Sequence, residues 1–292
     1  MQFLIYILVY PFLWIISILP FRLLYLFSDG VYILLYHIIG YRKKVVTSNL
    51  KLVFPDKTEK EITSIQKKFY KHLCDMFLEM AKTMTISKAS LDKRFKLKNP
   101  EELKRLESLN KSIILMYAHY ASWEWSIAIQ NHINIKGLGI YKKLANKHFD
   151  KLARDIRSKF NTKLISTKEA ISEINKYEAK GEKSITAFIS DQSPRLTKEV
   201  YWGNFMGIET PCFTGAERLA KKLNLSVAYL KVTKIKRGFY EGEIMTLAEN
   251  PKDHKNYDIT DMFLREVEKQ IYEAPEYYFW THKRWKHIKK NS

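Results

Sequence analysis

Ser112-Ile-Ile-Leu-Met-Tyr117 runs directly into Ala118-His-Tyr-Ala-Ser-Trp-Glu-Trp125. A short apolar run bounded by small and polar residues reads as a buried strand. The residues after it predict a tight turn and then a helix. His119 therefore leaves the end of a strand, and Glu124 lies five positions on, at the start of the next element. Strand-to-helix turns are where α/β proteins place reacting groups. Histidine suits proton transfer near neutral pH. A carboxylate partner can fix one ring nitrogen as donor and leave the other to accept a proton. A histidine held in the core and a glutamate drawn to a helix start would give the same spacing. The position of both residues at one turn favours chemistry.

Outward from this stretch, apolar runs alternate with helical ones. Strands are expected at Ile113–Tyr117, Gly137–Tyr141, Lys163–Ile165, Ser184–Ile189, Ser226–Val232 and Tyr240–Leu247. Helices are expected at Trp123–Ile133, Lys147–Lys159, Lys168–Lys180, Gly215–Leu223 and Asp258–Ala274. Such alternation predicts an α/β fold with a largely parallel central sheet flanked by helices. Upstream, Thr58-Glu-Lys-Glu61 has the spacing of a capping box. Ile62, Ile65, Phe69, Leu73, Met76, Phe77 and Met80 follow at helical spacing, with His72, Asp75 and Glu79 read as a solvated face.

The N-terminus is different. No charged side chain precedes Arg22. Phe3–Pro20 approaches the ~20 residues that cross a bilayer, with Tyr6, Tyr10 and Trp14 suited to its interfaces. Pro11 is expected to kink it. Leu23–Gly40, with Asp29 and His37, reads as an interfacial helix. A cleaved signal peptide is not expected, because no basic region precedes the apolar run. Arg42-Lys43-Lys44 follows it, which predicts a cytoplasmic catalytic part. The expected division is a membrane-associated helical segment over 1–44 and a catalytic domain over 45–292. A buried hydrophobic hairpin of a soluble domain is the other reading.

The 292 residues carry 50 Lys and Arg against 31 Asp and Glu, a net charge of +19. This excess calls for an anionic partner: phospholipid, phosphorylated substrate, acidic protein or nucleic acid. Cys74 and Cys212 form neither a disulfide framework nor a metal spacing. Dinucleotide fingerprints, a Walker A loop, a Gly-x-Ser-x-Gly elbow and His-Glu-x-x-His are absent, and no metal site is expected. Three further stretches draw attention. Asp191 follows the strand at Ser184–Ile189 and is placed at the same sheet edge as His119; Asp-Gln-Ser-Pro is also an ordinary turn signature. Arg157 stands out from a basic cluster, since its guanidinium can fork onto phosphate or carboxylate. Tyr277-Tyr-Phe-Trp-Thr-His-Lys-Arg-Trp-Lys286 interleaves aromatics with cations, as single-stranded nucleic acid or a membrane surface would require.

Together these residues resemble the late (secondary) acyltransferases of lipid A biosynthesis, within the glycerolipid acyltransferase superfamily. The likeness runs through Tyr41–Pro55, His119–Trp125, Asn146–Asp150 with Arg157, Asp191-Gln192, Asn204–Gly207 with Thr210, Gly215–Ala220 and Trp280–Lys286. It implies transfer of a fatty acyl group from an acyl carrier protein thioester to a hydroxyl of a lipid A precursor. The place would be the cytoplasmic side of the bacterial inner membrane, on an anionic surface, with no cofactor and no nucleic acid. His119 matches the general base and Glu124 its acidic partner. Arg157 and Asp191 match positions tied to substrate binding or site integrity, and Gln192, Lys142 and Asn204 are further residues expected at the substrate. Ser122, Lys142 and Asn161 depart from the family's usual Asn, Arg and Gly. Other lipid acceptors, and a non-catalytic membrane-tethered binding protein, stay open on the residues alone.

Overall fold

The computed structural model describes residues 2–288. Two apolar helices come first: α1 (Gln2–Ile18) and α2 (Phe21–Tyr32), the latter running on as a π-helical turn over Ile33–Ile39. Phe21–Ile39, at 19 residues and a mean hydropathy of 1.3, is long and apolar enough to cross a membrane. The longer apolar helix is thus the second, not the first. Pro11 lies inside α1 without ending it. The break falls at Pro20, which precedes α2 and, having no N–H, is favoured at a helix start.

Helices α3 (Lys43–Val53), α4 (Glu59–Lys82) and α5 (Lys88–Arg94) lead to strand β1 (Phe95–Leu97), followed by α6 (Pro100–Ser108). The capping box forms as the sequence predicts: the Thr58 hydroxyl accepts from the Glu61 N–H at 3.3 Å, and the Glu61 carboxylate accepts from the Thr58 N–H at 2.8 Å. Then come β2 (Ile113–Tyr117), β3 (Lys136–Tyr141), α7 (Lys147–Ser158), β4 (Thr162–Ser166), α8 (Ala170–Ala179) and β5 (Ser184–Ile189). A hairpin of β6 (Tyr201–Phe205) and β7 (Ile208–Cys212) precedes α9 (Gly215–Leu223), β8 (Ser226–Lys236), β9 (Phe239–Ala248) and α10 (Asp258–Glu273).

Seven strands form one sheet in the order β1-β9-β8-β2-β5-β3-β4, parallel except for the β8–β9 pair. The α/β architecture expected from the alternation is the one observed. All five residues of β2 are buried, which is why that strand is apolar throughout rather than alternating. Three features differ from the sequence reading. Trp123–His132 is a 3-10 helix, not an α-helix. The three-residue β1 and the β6–β7 hairpin carry too little periodicity to be seen. His72, Asp75 and Glu79 are not a solvated face but are 4%, 3% and 1% exposed. They face β8, β9 and α2, whose cations and hydroxyls engage them: Lys234 on His72 Nδ1 at 3.1 Å, Arg237 and Ser28 on Asp75, Tyr25 and Tyr240 on Glu79. Arg237 also reaches Asp29 at 2.7 Å, which pins the tip of the β8–β9 hairpin onto α2. Gly238, at φ +73, allows this approach, since a Cβ there would lie 1.9 Å from the Tyr25 hydroxyl.

Candidate active site

β2 and β5 are parallel neighbours with Tyr117 opposite Ile189. Two residues past each of these lie His119 and Asp191, so the register brings them side by side at the carboxyl edge of the sheet. The His119 Nδ1 is 2.8 Å from Asp191 Oδ1, and the same oxygen accepts the His119 backbone N–H at 3.1 Å. Asp191 is 1% exposed. Burial pushes its carboxyl up, but the positive charge and two N–H donors of His119 outweigh burial and leave it below the ordinary aspartate range. An ionised Asp191 at Nδ1 keeps the proton on that nitrogen and leaves Nε2 as the acceptor.

Sequence spacing predicts Glu124 as the partner of His119, and here the geometry differs. The Glu124 carboxylate is held by the Arg157 fork, Nε to Oε2 at 2.9 Å and Nη2 to Oε1 at 2.6 Å. The reason is local. The 3-10 helix that starts at Trp123 presents Glu124 to α7, whose last turn supplies Arg157. Burial lowers the affinity of Arg157 for its proton, and Glu124 raises it above the ordinary value. Arg157 and Glu124 still line the same cavity as His119.

That cavity has a volume of about 340 Å³ and runs under β2, β5, β3 and β4. Leu115, Ile140, Leu164, Ile185, Ala187 and Ile189 form much of its wall. Lys142, exposed, stands among its lining residues. Gly137 and Gly139 on β3 let Gln130 and Leu164 approach: a Cβ at either would lie 2.0 Å from Gln130 Oε1 or 2.8 Å from Leu164 Cδ2. Gln192 neighbours Asp191 but is not part of the lining, and neither is Asn204. Asn204 is exposed on β6, where its carbonyl accepts from Arg265.

The turn itself is strained and strapped. Ala121 has φ +48, a left-handed conformation that costs an L-residue about 1 kcal/mol or more. The C-terminal segment holds it: the Ala121 N–H donates to Tyr277 O at 3.0 Å, and the Phe279 N–H donates to His119 O at 3.1 Å. Trp123 and Phe279 pack their rings 5.2 and 5.9 Å from the His119 imidazole. The Tyr278 phenol is held neutral by burial and by the charge of Asp191. His282, whose Nε2 accepts from the Ser193 N–H at 3.3 Å, is pushed down to about 4, chiefly by burial. Most of the aromatic run at 277–286, together with Arg284, thus packs inward, while Lys283 and Lys286 stay exposed. Tyr278, Trp280, Arg284 and Trp285 are 2%, 0%, 1% and 5% exposed. The sequence read this run as a surface for nucleic acid or membrane. Its residue types were visible, but their burial depends on β2 and the β6–β7 hairpin being on either side.

Comparison with known proteins adds to this geometry. A family model described as bacterial lipid A biosynthesis acyltransferase matches residues 1–287. The "Lipid A biosynthesis lauroyltransferase" of Escherichia coli (strain K12) is 24% identical over 275 residues, covering 94% of this chain and 89% of that protein. The "Lipid A biosynthesis acyltransferase" of Haemophilus influenzae is 23% identical over 274 residues, 92% of this chain and 83% of the other. A match of this extent, over a sheet with an imidazole at its edge and an apolar cavity beneath, makes the chain a member of the bacterial lipid A biosynthesis acyltransferase family, and an acyltransferase.

Proposed function

We propose that this protein transfers a fatty acyl group from an acyl carrier protein thioester to a hydroxyl of a lipid A precursor, at the cytoplasmic face of the bacterial inner membrane. The observation that carries the reading is the His119–Asp191 contact of 2.8 Å at an apolar cavity. In this mechanism His119 Nε2 takes the proton of the acceptor hydroxyl as its oxygen attacks the thioester carbonyl. Asp191 steadies the imidazolium through Nδ1–H. The tetrahedral intermediate collapses, the carbon–sulfur bond breaks, and the leaving thiolate recovers the proton from His119. No enzyme nucleophile is required, and no cofactor enters beyond the thioester.

Glu124 has a different part here from the one its spacing predicts: it fixes Arg157 at the cavity wall, where the guanidinium faces the anionic portion of a substrate. Lys142, with its charge at the same cavity, adds to that attraction. Gln192 follows Asp191 outside the cavity lining, and Asn204 lies outside it as well. The acyl chain of the donor occupies the cavity beneath the sheet, where each methylene removed from water contributes about 0.8 kcal/mol.

Membrane attachment is supported by where the apolar surface lies. Among the described residues, 17 of the 29 exposed large hydrophobic side chains fall within the first 39 positions. Exposed apolar surface of this density marks a membrane or partner contact. The charge of +19 favours an anionic leaflet and an acidic carrier protein. The test is to incubate the purified full chain with a panel of acyl carrier thioesters and lipid acceptors and identify products by mass spectrometry. Acylated lipid A precursor is expected, and His119→Ala should lower the rate by about 10²–10⁴-fold with its unfolding temperature kept. Near-normal transfer by that variant, or acylation of an unrelated lipid alone, would overturn the reading.

A further inference from the structure

The cavity that holds His119 is one of two apolar recesses meeting at the Glu124–Arg157 pair. The second, of about 210 Å³, lies between α1, α4 and α7. Leu13, Phe77, Met80, Leu152 and Ile156 form its sides. Glu124, Ile127 and Arg157 line both recesses, so the ion pair and one isoleucine are a common partition. One wall is α1, which continues into exposed Phe12, Trp14 and Ile15, and Phe77 is itself 46% exposed. α1 is seated here by the Tyr6 ring, tilted against His148 and edge-on to Phe149 of α7, at 5.4 Å each.

We infer that this second groove holds one hydrocarbon chain of the acceptor lipid, while the first holds the chain being transferred. The inference rests on the acyl-transfer reading above and assigns its acceptor side. Three observations support it. Apart from the ion pair at its inner end the groove offers only apolar side chains and the Thr83 residue, so a headgroup or a carrier protein does not belong in it. It borders the apolar N-terminal helix, so a lipid already in a bilayer reaches it without its chain entering water. It meets the reacting cavity at Arg157, so a lipid seated in the groove brings its polar part to the wall shared with His119. The donor differs on each count. Its chain arrives with a soluble carrier, and the cavity running under the sheet from His119 is the recess that shields it.

Ala153 of α7 faces this groove and does not line the other cavity. Ala153→Trp fills the groove. With acceptor concentration varied in mixed micelles, the expected result is a KM for the long-chain acceptor raised about tenfold, equal to the loss of roughly two methylenes of contact. The kcat, the KM for the acyl thioester and the slow hydrolysis of thioester to water should be unchanged. An acceptor analogue whose chains are cut short should react alike with both proteins. Phe77→Ala, at the groove mouth, should raise the same KM by a smaller factor with the fold intact, which keeps the test valid if the tryptophan variant does not fold. An unchanged acceptor KM in both variants, or a raised KM for the thioester, would overturn the assignment. A wild-type protein that acylates no acceptor would instead remove the acyl-transfer reading itself.

Discussion

Two histidines sit near the turn at Ala121, and their surroundings use the same residue types differently. His119 gives Nδ1 to Asp191, and its side chain is 21% exposed toward a cavity. His72, 4% exposed, takes the Lys234 ammonium on Nδ1 and packs edge-on against Tyr277 at 4.9 Å. Burial, and then the Lys234 charge, push the His72 imidazole well below its ordinary range, so it stays neutral. One imidazole gives Nδ1 to a carboxylate; the other faces an ammonium there. The difference teaches that a histidine becomes a base through the sign of its nearest charge and through what its second nitrogen faces.

The sharpest break of this comparison is at Asp191. Asp191→Asn removes the charge that supports imidazolium and allows the ring to flip its tautomer. It should lower kcat by about 10²–10⁴-fold. Glu124→Gln, which loosens Arg157 but leaves the His119–Asp191 contact, should lower it distinctly less. Steady-state rates of the two variants check the ranking, and a Glu124 variant more impaired than the Asp191 variant would return the partner role to Glu124.

His72 should behave in the opposite way. His72→Phe removes an acceptor from the buried Lys234 and should destabilise the fold by about 1–3 kcal/mol. At temperatures where both proteins are folded its kcat should stay near wild type. Urea unfolding and rate measurement together test this, and a large loss of kcat without loss of stability would make His72 part of the reacting machinery.

The smallest effect on turnover belongs to Glu79. Burial raises its carboxyl to about 7 against an ordinary 4.5. The folded protein therefore keeps a proton that the unfolded chain loses between these values. Stability from this group is complete below pH 4.5 and is lost as pH rises to 7. Glu79→Gln should flatten the dependence of Tm on pH in that window, by about 2–4 °C for each kcal/mol involved. An unchanged slope would mean Glu79 is ionised throughout.

Much of the fold was legible because its strands obey local rules. Ile113–Tyr117 and Ser184–Ile189 form as expected, since a strand buried on both faces has no polar alternation to confuse the reading. The placement of Asp191 at the His119 edge was legible too, because both follow such strands by two residues. Other features were hidden. β1 spans three residues, too few for any period. Glu124 was assigned to His119 by distance along the chain, whereas a 3-10 turn aimed it at Arg157, 33 residues away. His72, Asp75 and Glu79 looked like a wetted helix face because their partners, Tyr25, Lys234 and Tyr240, lie far off in sequence.

The sequence by itself determined the alternation of strand and helix, the apolar N-terminus, the positive charge and the presence of an imidazole after a central strand. Each is a property of composition or of short-range period, which the chain carries wherever it goes. Tertiary structure alone decided which carboxylate meets which cation, and whether the aromatic run at the end faces water or the core. Those outcomes depend on strand order and register, where neighbours 72 residues apart come within 2.8 Å and the carboxylate five residues from the imidazole closes on an arginine 33 residues further along the chain.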